Sequence, residues 1–205
     1  MKRTLRGALL ILIFILFLPF YVYAISCTVT KVVDGDTFYC IPDQIIADAR
    51  ILKNCSISVR LHGIDAPEKD QPYGIEARNS LKDLVEGKTV ELDVKAIDKY
   101  GRAVAFVYVG CLNVNLEQVK RGLAWAYLEY LESSYISEYY SAEKEARNKG
   151  LGLWKQANPT PPWEWRMIKR QEKSFHCEAK SPSQATGHGN LNKFKNGYIR
   201  DVTNR

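Results

Sequence analysis

Short segments rich in Val, Ile and Thr, separated by turn residues, limit the architectures open to this chain. Residues 28–39 alternate in polarity and are rich in Val and Thr, so they predict a strand that is interrupted by an Asp-Gly-Asp turn. The same criteria predict further strands at residues 57–64, 89–96 and 102–108, with residues 111–114 continuing the sheet. Apolar residues at helical spacing predict helices at residues 76–86, 115–121 and 134–149. The pattern indicates an α+β chain: a five-stranded, closed OB-type barrel with about three helices.

The first 24 residues are predicted to lie outside this barrel. Three basic residues precede an uncharged apolar stretch at residues 7–22, which favours a secretory signal peptide cleaved after Ala24. An uncleaved membrane anchor is a second interpretation, although a membrane span needs roughly 20 apolar residues. Residues 24–27 also resemble a bacterial lipobox, in which Cys27 would carry a lipid. Each interpretation places the folded part outside the cytoplasm, either secreted, periplasmic or attached to a membrane.

Charge is distributed unevenly along the chain. Residues 25–154 carry 16 basic and 19 acidic residues, whereas residues 155–205 carry 10 basic and 4 acidic ones. The predicted barrel is therefore not a basic platform, and any cationic site for nucleic acid must be local. We expect a barrel domain at residues 27–155 and a basic Pro- and Trp-containing extension at residues 156–205. The Pro-rich residues 158–163 cannot continue a helix. The residues expected to pack the extension onto the barrel are Trp163, Trp165 and Arg166. Disorder is expected from about Lys180 onwards.

Five cysteines in an exported chain favour disulfides over metal thiolates. Cys40 and Cys55 flank a segment predicted to be a long hairpin loop, so we expect a bridge between them. The odd count leaves one thiol over, which is consistent with a lipid on Cys27.

Two acidic segments supply candidate metal ligands. Asp36 follows Gly35 in the predicted turn, and Asp65 opens the sequence Asp-Ala-Pro-Glu, in which Pro67 restricts the backbone. Carboxylate and carbonyl oxygens are the ligands that Ca²⁺ prefers, so Asp36, Asp65 and the carbonyl of Ala66 are a candidate partial shell. Glu68 is expected to reach the same place, where a carboxylate can accept a proton from an attacking water.

Arg60 and Arg102 lie on different predicted strands near these acids. Guanidinium groups bind phosphate oxygens through two parallel hydrogen bonds and stay charged at any relevant pH. Together with the carboxylates they form the set of groups needed to cleave a phosphodiester. His62, between Arg60 and Asp65, is interpreted as a packing residue.

The order and internal spacing of three motifs resemble the staphylococcal (thermonuclease) nuclease family. The motifs are residues 34–37 (Asp-Gly-Asp-Thr), 60–68 (Arg-Leu-His-Gly-Ile-Asp-Ala-Pro-Glu) and 98–102 (Asp-Lys-Tyr-Gly-Arg). The resemblance implies a Ca²⁺-dependent enzyme that hydrolyses single- or double-stranded DNA and RNA with low sequence specificity, cuts the 5′ P–O bond and leaves 3′-phosphates. It assigns Glu68 as general base and Arg60 and Arg102 as transition-state stabilisers. Family members often have Thr where this chain has Ala66, a position from which only the carbonyl is used.

The resemblance also implies a nucleotide-binding surface. Lys99 and Tyr100 would contact the terminal phosphate and stack near the base. Tyr127 would form the other wall of a nucleotide pocket, with Tyr130 as a competing candidate because the spacing after Gly122 is one residue shorter than the family pattern. We expect a monomer.

Two other classes of function remain open at this point. A non-catalytic OB-type module that binds single-stranded nucleic acid or protein would share the fold. A tethered structural or adhesion protein would carry the site as a vestige. Both would tolerate loss of Asp36, Arg60, Asp65, Glu68 and Arg102, yet all five are present.

Overall fold

A computed structural model describes residues 25–43 and 55–178, with side chains up to residue 174. The predicted signal peptide or anchor, the residues 44–54 and the tail expected to be disordered lie outside the described residues. Within the described part, no helix is both long enough and apolar enough to cross a membrane.

The sheet closes into the predicted barrel. Its strands and the short strands beside it are β1 (Ile25–Val32), β2 (Thr37–Pro42), β3 (Ile57–Leu61), β4 (Ile64–Asp65), β5 (Thr89–Ile97), β6 (Ala103–Val109), β7 (Leu112–Asn113) and β8 (Trp125–Ala126). The main sheet has the order β3-β2-β1-β5-β6-β7 and closes through a β3–β6 pairing. That closing pair is parallel and sets Arg60 opposite Val104, whereas the other neighbours are antiparallel. The prediction of a five-stranded OB-type barrel is confirmed.

Alternation along the strands produces the core. Phe38, Val59 and Phe106 are completely buried. Phe38 and Val59 each have a more accessible neighbour along the strand, whereas the residues on both sides of Phe106 in β6 are buried as well. Burying such side chains stabilises the fold by about 1.5–3 kcal/mol each. The strands therefore hold the motif-bearing turns at their ends on a rigid support.

Three helices occur near their predicted positions, as α1 (Gly74–Val85), α2 (Val114–Lys120) and α3 (Ser133–Asn148). The side chain of Asn113 caps α2 by accepting a hydrogen bond from the backbone N–H of Leu116 at 3.1 Å. A fourth helix, α4 (Pro162–Glu178), was not predicted. It begins at a proline, which is favourable in the first helical turn because proline lacks the N–H that would be unpaired there.

The chain divides into two compact units, the first ending at Trp165 and the second beginning at Arg166. The first unit thus includes residues 156–165, which the sequence had assigned to the extension.

The predicted Cys40–Cys55 disulfide is wrong, because Cys40 is bonded to Cys27. Cys27 on β1 and Cys40 on β2 are both buried inside the barrel with their Cα atoms 5.7 Å apart, within the range of a disulfide. Cys55 precedes β3 and is exposed with a free thiol, as is Cys111. The sulfur of Cys27 is bonded to Cys40 and is therefore not available for a lipid, which contradicts the lipobox interpretation.

Candidate active site

The turn between β1 and β2 presents Asp36 to the site. Its Oδ1 accepts a hydrogen bond from the Thr37 hydroxyl at 2.8 Å, and its Oδ2 accepts one from the backbone N–H of Ala66 at 3.0 Å. The backbone N–H of Asp36 donates to Asp34 Oδ1 at 3.1 Å. Burial, followed by the charge of Asp36, raises the pKa of the Asp34 carboxyl to about 7. The turn is thus fixed at both oxygens of Asp36.

The same turn is packed tightly against two helices. A Cβ added at Gly35 would lie 2.6 Å from Ala66 Cβ and 2.7 Å from Ala77 Cβ on α1, so the position has room for glycine alone. Gln118 on α2 donates from Nε2 to the carbonyls of Gly35 at 2.8 Å and Ala77 at 3.0 Å. Its Oε1 accepts from the Ser80 hydroxyl at 2.7 Å, so the buried amide uses both of its polar atoms.

Arg60 joins the two predicted metal-ligand carboxylates. Its Nη1 lies 2.8 Å from Asp36 Oδ1 and its Nη2 lies 2.7 Å from Asp65 Oδ1. The charge of Asp36 raises the pKa of Arg60, burial opposes this, and Asp65 adds to the rise. The guanidinium is therefore held in one orientation between two acids that are almost completely buried.

These residues fit a hard divalent cation. Asp36, Asp65 and the carbonyl of Ala66 offer oxygen donors, which is the ligand type such cations prefer, and their burial limits competition from bulk water. Across the described residues, no group of three or more His, Cys, Asp or Glu side chains is placed to hold a metal. A cation here would have two carboxylates and need further ligands from water and substrate, as the sequence suggested.

Glu68 follows Asp65 by three residues on the same segment and is half-buried. Its backbone N–H donates to Gln71 Oε1 at 3.1 Å, and its carbonyl accepts from the Gln71 N–H at 2.9 Å. The loop after Asp65 therefore folds back on itself and begins α1 at Gly74.

Arg102 is oriented by Asp98 at the tight turn between β5 and β6. Its Nε donates to Asp98 Oδ2 at 2.7 Å, while the backbone N–H groups of Tyr100 and Arg102 donate to Oδ1 at 2.9 and 3.0 Å. Burial acts to raise the pKa of Asp98, but these hydrogen bonds outweigh it and lower the pKa. Lys99 and Tyr100 are exposed on the turn, with the Lys99 ammonium 5.1 Å from the centre of the Tyr100 ring.

A pocket of about 290 Å³ lies beside the Arg60 side chain. Its lining includes the charged residues Arg60, Arg102 and Asp98 and the aromatic residues Tyr127 and Tyr130. The two tyrosine rings meet edge to face with centroids 4.6 Å apart. Tyr127 and Tyr130, the two candidates from the sequence, therefore both line the pocket. The backbone N–H of Tyr127 donates to the Gly63 carbonyl at 2.8 Å.

His62 also lines the pocket but packs into the wall. Its ring meets Phe106 edge to face at 4.9 Å, and its Nε2 is buried with no hydrogen-bond partner in the described part of the structure. Burial lowers the pKa of His62; of the surrounding charges, Glu132 and Asp93 raise it and Lys95 lowers it. The neutral imidazole is consistent with the packing role expected for it.

The structure brings some predicted site residues together and leaves others apart. Arg60 contacts Asp36 and Asp65 directly and shares the pocket with Arg102 and Tyr127. Glu68, Lys99 and Tyr100 lie outside the pocket lining. Sequence reasoning missed the supporting role of Asp98, although its four-residue spacing from Arg102 was a usable signal for an ion pair at a turn. It also missed Gln71 and Gln118, whose partners are distant in sequence.

The closed barrel and the contacts of Arg60 with Asp36 and Asp65 place the protein in the class of OB-fold proteins with a localised site of carboxylate and guanidinium groups. Residues 58–156 match the family profile described as Staphylococcal nuclease homologue. The chain belongs to this family. A Haemophilus influenzae protein named as an uncharacterized endonuclease is 45% identical over 148 residues, which cover 72% of this chain and 75% of that protein.

Two further relatives show how widely the similarity extends. The micrococcal nuclease of Shigella flexneri is 36% identical over 147 residues, covering 67% of this chain and 78% of the Shigella protein. The staphylococcal-like nuclease CAN1 of Arabidopsis thaliana is 44% identical over 112 residues, covering 55% of this chain but 34% of the plant protein.

Proposed function

We propose that this protein is a Ca²⁺-dependent nuclease that hydrolyses phosphodiester bonds in single- and double-stranded DNA and RNA. The observation that carries the proposal is Arg60, whose guanidinium connects two buried carboxylates to a pocket shared with Arg102. Relatives named endonuclease or micrococcal nuclease support a hydrolytic activity on nucleic acid.

Asp36, Asp65 and the carbonyl of Ala66 would hold the cation. When bound, it would neutralise phosphate charge and lower the pKa of a nearby water. Arg60 and Arg102 bind the oxygens of the scissile phosphate and stabilise the negative charge that develops there. Each already has a carboxylate partner, Asp36 and Asp65 for Arg60 and Asp98 for Arg102, so its orientation is set before substrate arrives. Glu68 accepts a proton from the attacking water as the water oxygen bonds to phosphorus. The bond from phosphorus to the 5′ oxygen breaks, and that oxygen takes up a proton from solvent, which gives a 3′-phosphate and a 5′-hydroxyl.

Aromatic and cationic groups around the pocket would hold the nucleotide. Tyr127 stacks on a base at the pocket wall, while Lys99 and Tyr100 contact the neighbouring phosphate and base from the exposed turn. Stacking on an aromatic ring is available to every base, so low sequence specificity is expected. The substrate therefore binds through its backbone and its base faces rather than through base edges.

We also propose that the enzyme acts outside the cytoplasm as a monomer. The Cys27–Cys40 disulfide supports this location, because disulfides persist in oxidising compartments and are rare in the cytosol. The N-terminal apolar stretch, as a cleaved signal peptide or an anchor, would provide the route of export.

The test is hydrolysis of a single-stranded oligonucleotide by the full-length protein with Ca²⁺, with Mg²⁺ alone and with EDTA. We expect cleavage with Ca²⁺ and none with EDTA. Glu68→Gln should lower kcat by about 100- to 10,000-fold, the usual contribution of a general base. Binding of a fluorescent oligonucleotide, measured by anisotropy, should be retained.

Glu145→Gln is the matched control, since Glu145 is an exposed residue of α3 paired with Lys149. It should keep wild-type turnover. Oligonucleotide binding without cleavage under any metal would refute the enzyme and favour a non-catalytic binding module.

A further inference from the structure

The loop that carries Glu68 is held tightly against the start of α1. The Gln71 N–H donates to the Glu68 carbonyl at 2.9 Å, and the Gly74 N–H donates to the Gln71 carbonyl at 2.9 Å. A Cβ added at Gly74 would lie 1.9 Å from the Glu68 carbonyl oxygen, so the loop and the helix are in direct contact. The position of Glu68 is therefore set by the conformation of residues 68–74.

Gln71 ties this loop to a segment far along the chain. The residue is buried, and its Oε1 accepts from the Glu68 N–H at 3.1 Å. Its Nε2 donates to the carbonyl of Thr160 at 2.6 Å. Thr160 belongs to residues 158–165, which we call the Pro-Trp segment. A second bond runs in parallel, from the Trp165 indole N–H to Asp70 Oδ1 at 3.1 Å.

The Pro-Trp segment also reaches the pocket wall. Trp163 stacks on Tyr127 with ring centroids 5.4 Å apart and an interplanar angle of 21°. The Trp163 ring also meets the Trp125 ring edge to face, with centroids 5.6 Å apart. Because Tyr127 lines the pocket, the indole of Trp163 restricts the orientation of the phenol ring that the substrate would meet.

We propose that the Pro-Trp segment is a positioning element of the active site, which sets Glu68 through Gln71 and Tyr127 through Trp163. The inference rests on the proposed function, since it assigns roles relative to the catalytic base and the base-stacking wall. Prolines restrict this segment before folding, so it holds the two contacts with little loss of backbone entropy. Neither Gln71 nor Trp163 takes part in the chemistry itself.

Two variants of the full-length protein test the two contacts separately by steady-state hydrolysis of an oligonucleotide with Ca²⁺. Gln71→Met keeps the volume but removes both hydrogen bonds, and we expect kcat to fall about 10- to 100-fold with KM unchanged, as for a displaced catalytic group. Trp163→Leu should raise KM about 2- to 10-fold with little change in kcat, and Trp163→Phe, which keeps an aromatic face, should restore most of that loss.

Gln156→Met is the matched control, because the Gln156 amide donates to the carbonyl of Leu153, three residues away, at 3.2 Å. It should leave both constants unchanged. A double variant separates positioning from general damage: in the Glu68→Gln background, Gln71→Met should lower kcat no further. If it lowers kcat by the same factor as in the wild type, Gln71 does not act through Glu68 and the proposal is overturned.

The failures of the two proposals can be told apart. Retained cleavage in Glu68→Gln would refute the assigned general base, and with it the proposed mechanism. Loss of cleavage in Glu68→Gln, with wild-type constants in both Gln71→Met and Trp163→Leu, would overturn the positioning role alone. Trp163→Leu keeps the proposal testable should Gln71→Met fail to fold, because its KM effect is read independently.

Discussion

Removal of the Cys27–Cys40 disulfide should destabilise the protein by about 3 kcal/mol. The two cysteines are 13 residues apart, and closing a loop of this length removes about 10 cal/mol/K of entropy from the unfolded chain. For a chain of this size, such a loss lowers Tm by about 6–12 °C. The closed loop contains the turn with Asp34 and Asp36, so the bridge constrains the part of the chain that presents a proposed metal ligand.

The measurement is urea unfolding followed by tryptophan fluorescence, comparing wild type with Cys27→Ala/Cys40→Ala. Cys55→Ala/Cys111→Ala is the matched control, because both thiols are exposed and free. The control should change stability by no more than about 0.5 kcal/mol. Peptide mapping of the unreduced protein by mass spectrometry should identify the linked Cys27 and Cys40 peptides. A Cys40–Cys55 linkage, or a control as unstable as the core variant, would refute the reasoning.

Three further predictions concern the surroundings of the site. Gly35→Ala should cost about 1–3 kcal/mol in urea unfolding and also reduce activity, because its methyl group would meet neighbouring atoms at 2.6 and 2.7 Å; a wild-type midpoint would contradict this. Gln118→Met should cost about 1–3 kcal/mol, because it removes the amide that donates to the Gly35 carbonyl and accepts from the Ser80 hydroxyl, whereas Gln156→Met should be close to neutral in the same assay. Because burial lowers the pKa of His62, the folded state favours the neutral imidazole. The contribution of the neutral ring to the free energy of unfolding is therefore complete above about pH 6.5 and is lost as the pH falls below that value. His62→Phe should therefore lose less stability than wild type between about pH 7.5 and pH 5, and an equal loss would count against this assignment.

The barrel could be predicted from the sequence because each strand is specified by a few neighbouring residues. Alternation and turn residues predicted β5 and β6 to within a few residues of their observed bounds, and one interrupted strand over residues 28–39, where the structure has β1 and β2. The disulfide partner depended instead on which face of the hairpin each cysteine occupies. Cys40 points inward with Cys27, whereas Cys55 lies just outside β3, so nearness to the loop was a poor guide.

The motif residues of the site were identifiable from sequence because each sits in a short segment of restricted backbone. In the structure, Arg60 contacts both Asp36 and Asp65 and also lines the pocket. This arrangement depends on how the strands pair, so the motif alone could not predict it. Their chemical roles stay predictions until tested as described above. The hydrogen bond from Gln71 to Thr160 joins residues that are 89 positions apart in the sequence, and no local pattern predicts such a bond.

Closure of the barrel has a consequence for when activity can appear. The parallel β3–β6 pair is the contact that brings the strand of Arg60 beside the strand that follows Arg102. Until that strand pair forms, the guanidinium groups of Arg60 and Arg102 are far apart in the unfolded chain and cannot bind the same phosphate. If the protein is exported as proposed, a chain still in transit would therefore leave the nucleic acids of the cell that makes it intact, and hydrolysis would begin only after folding is complete.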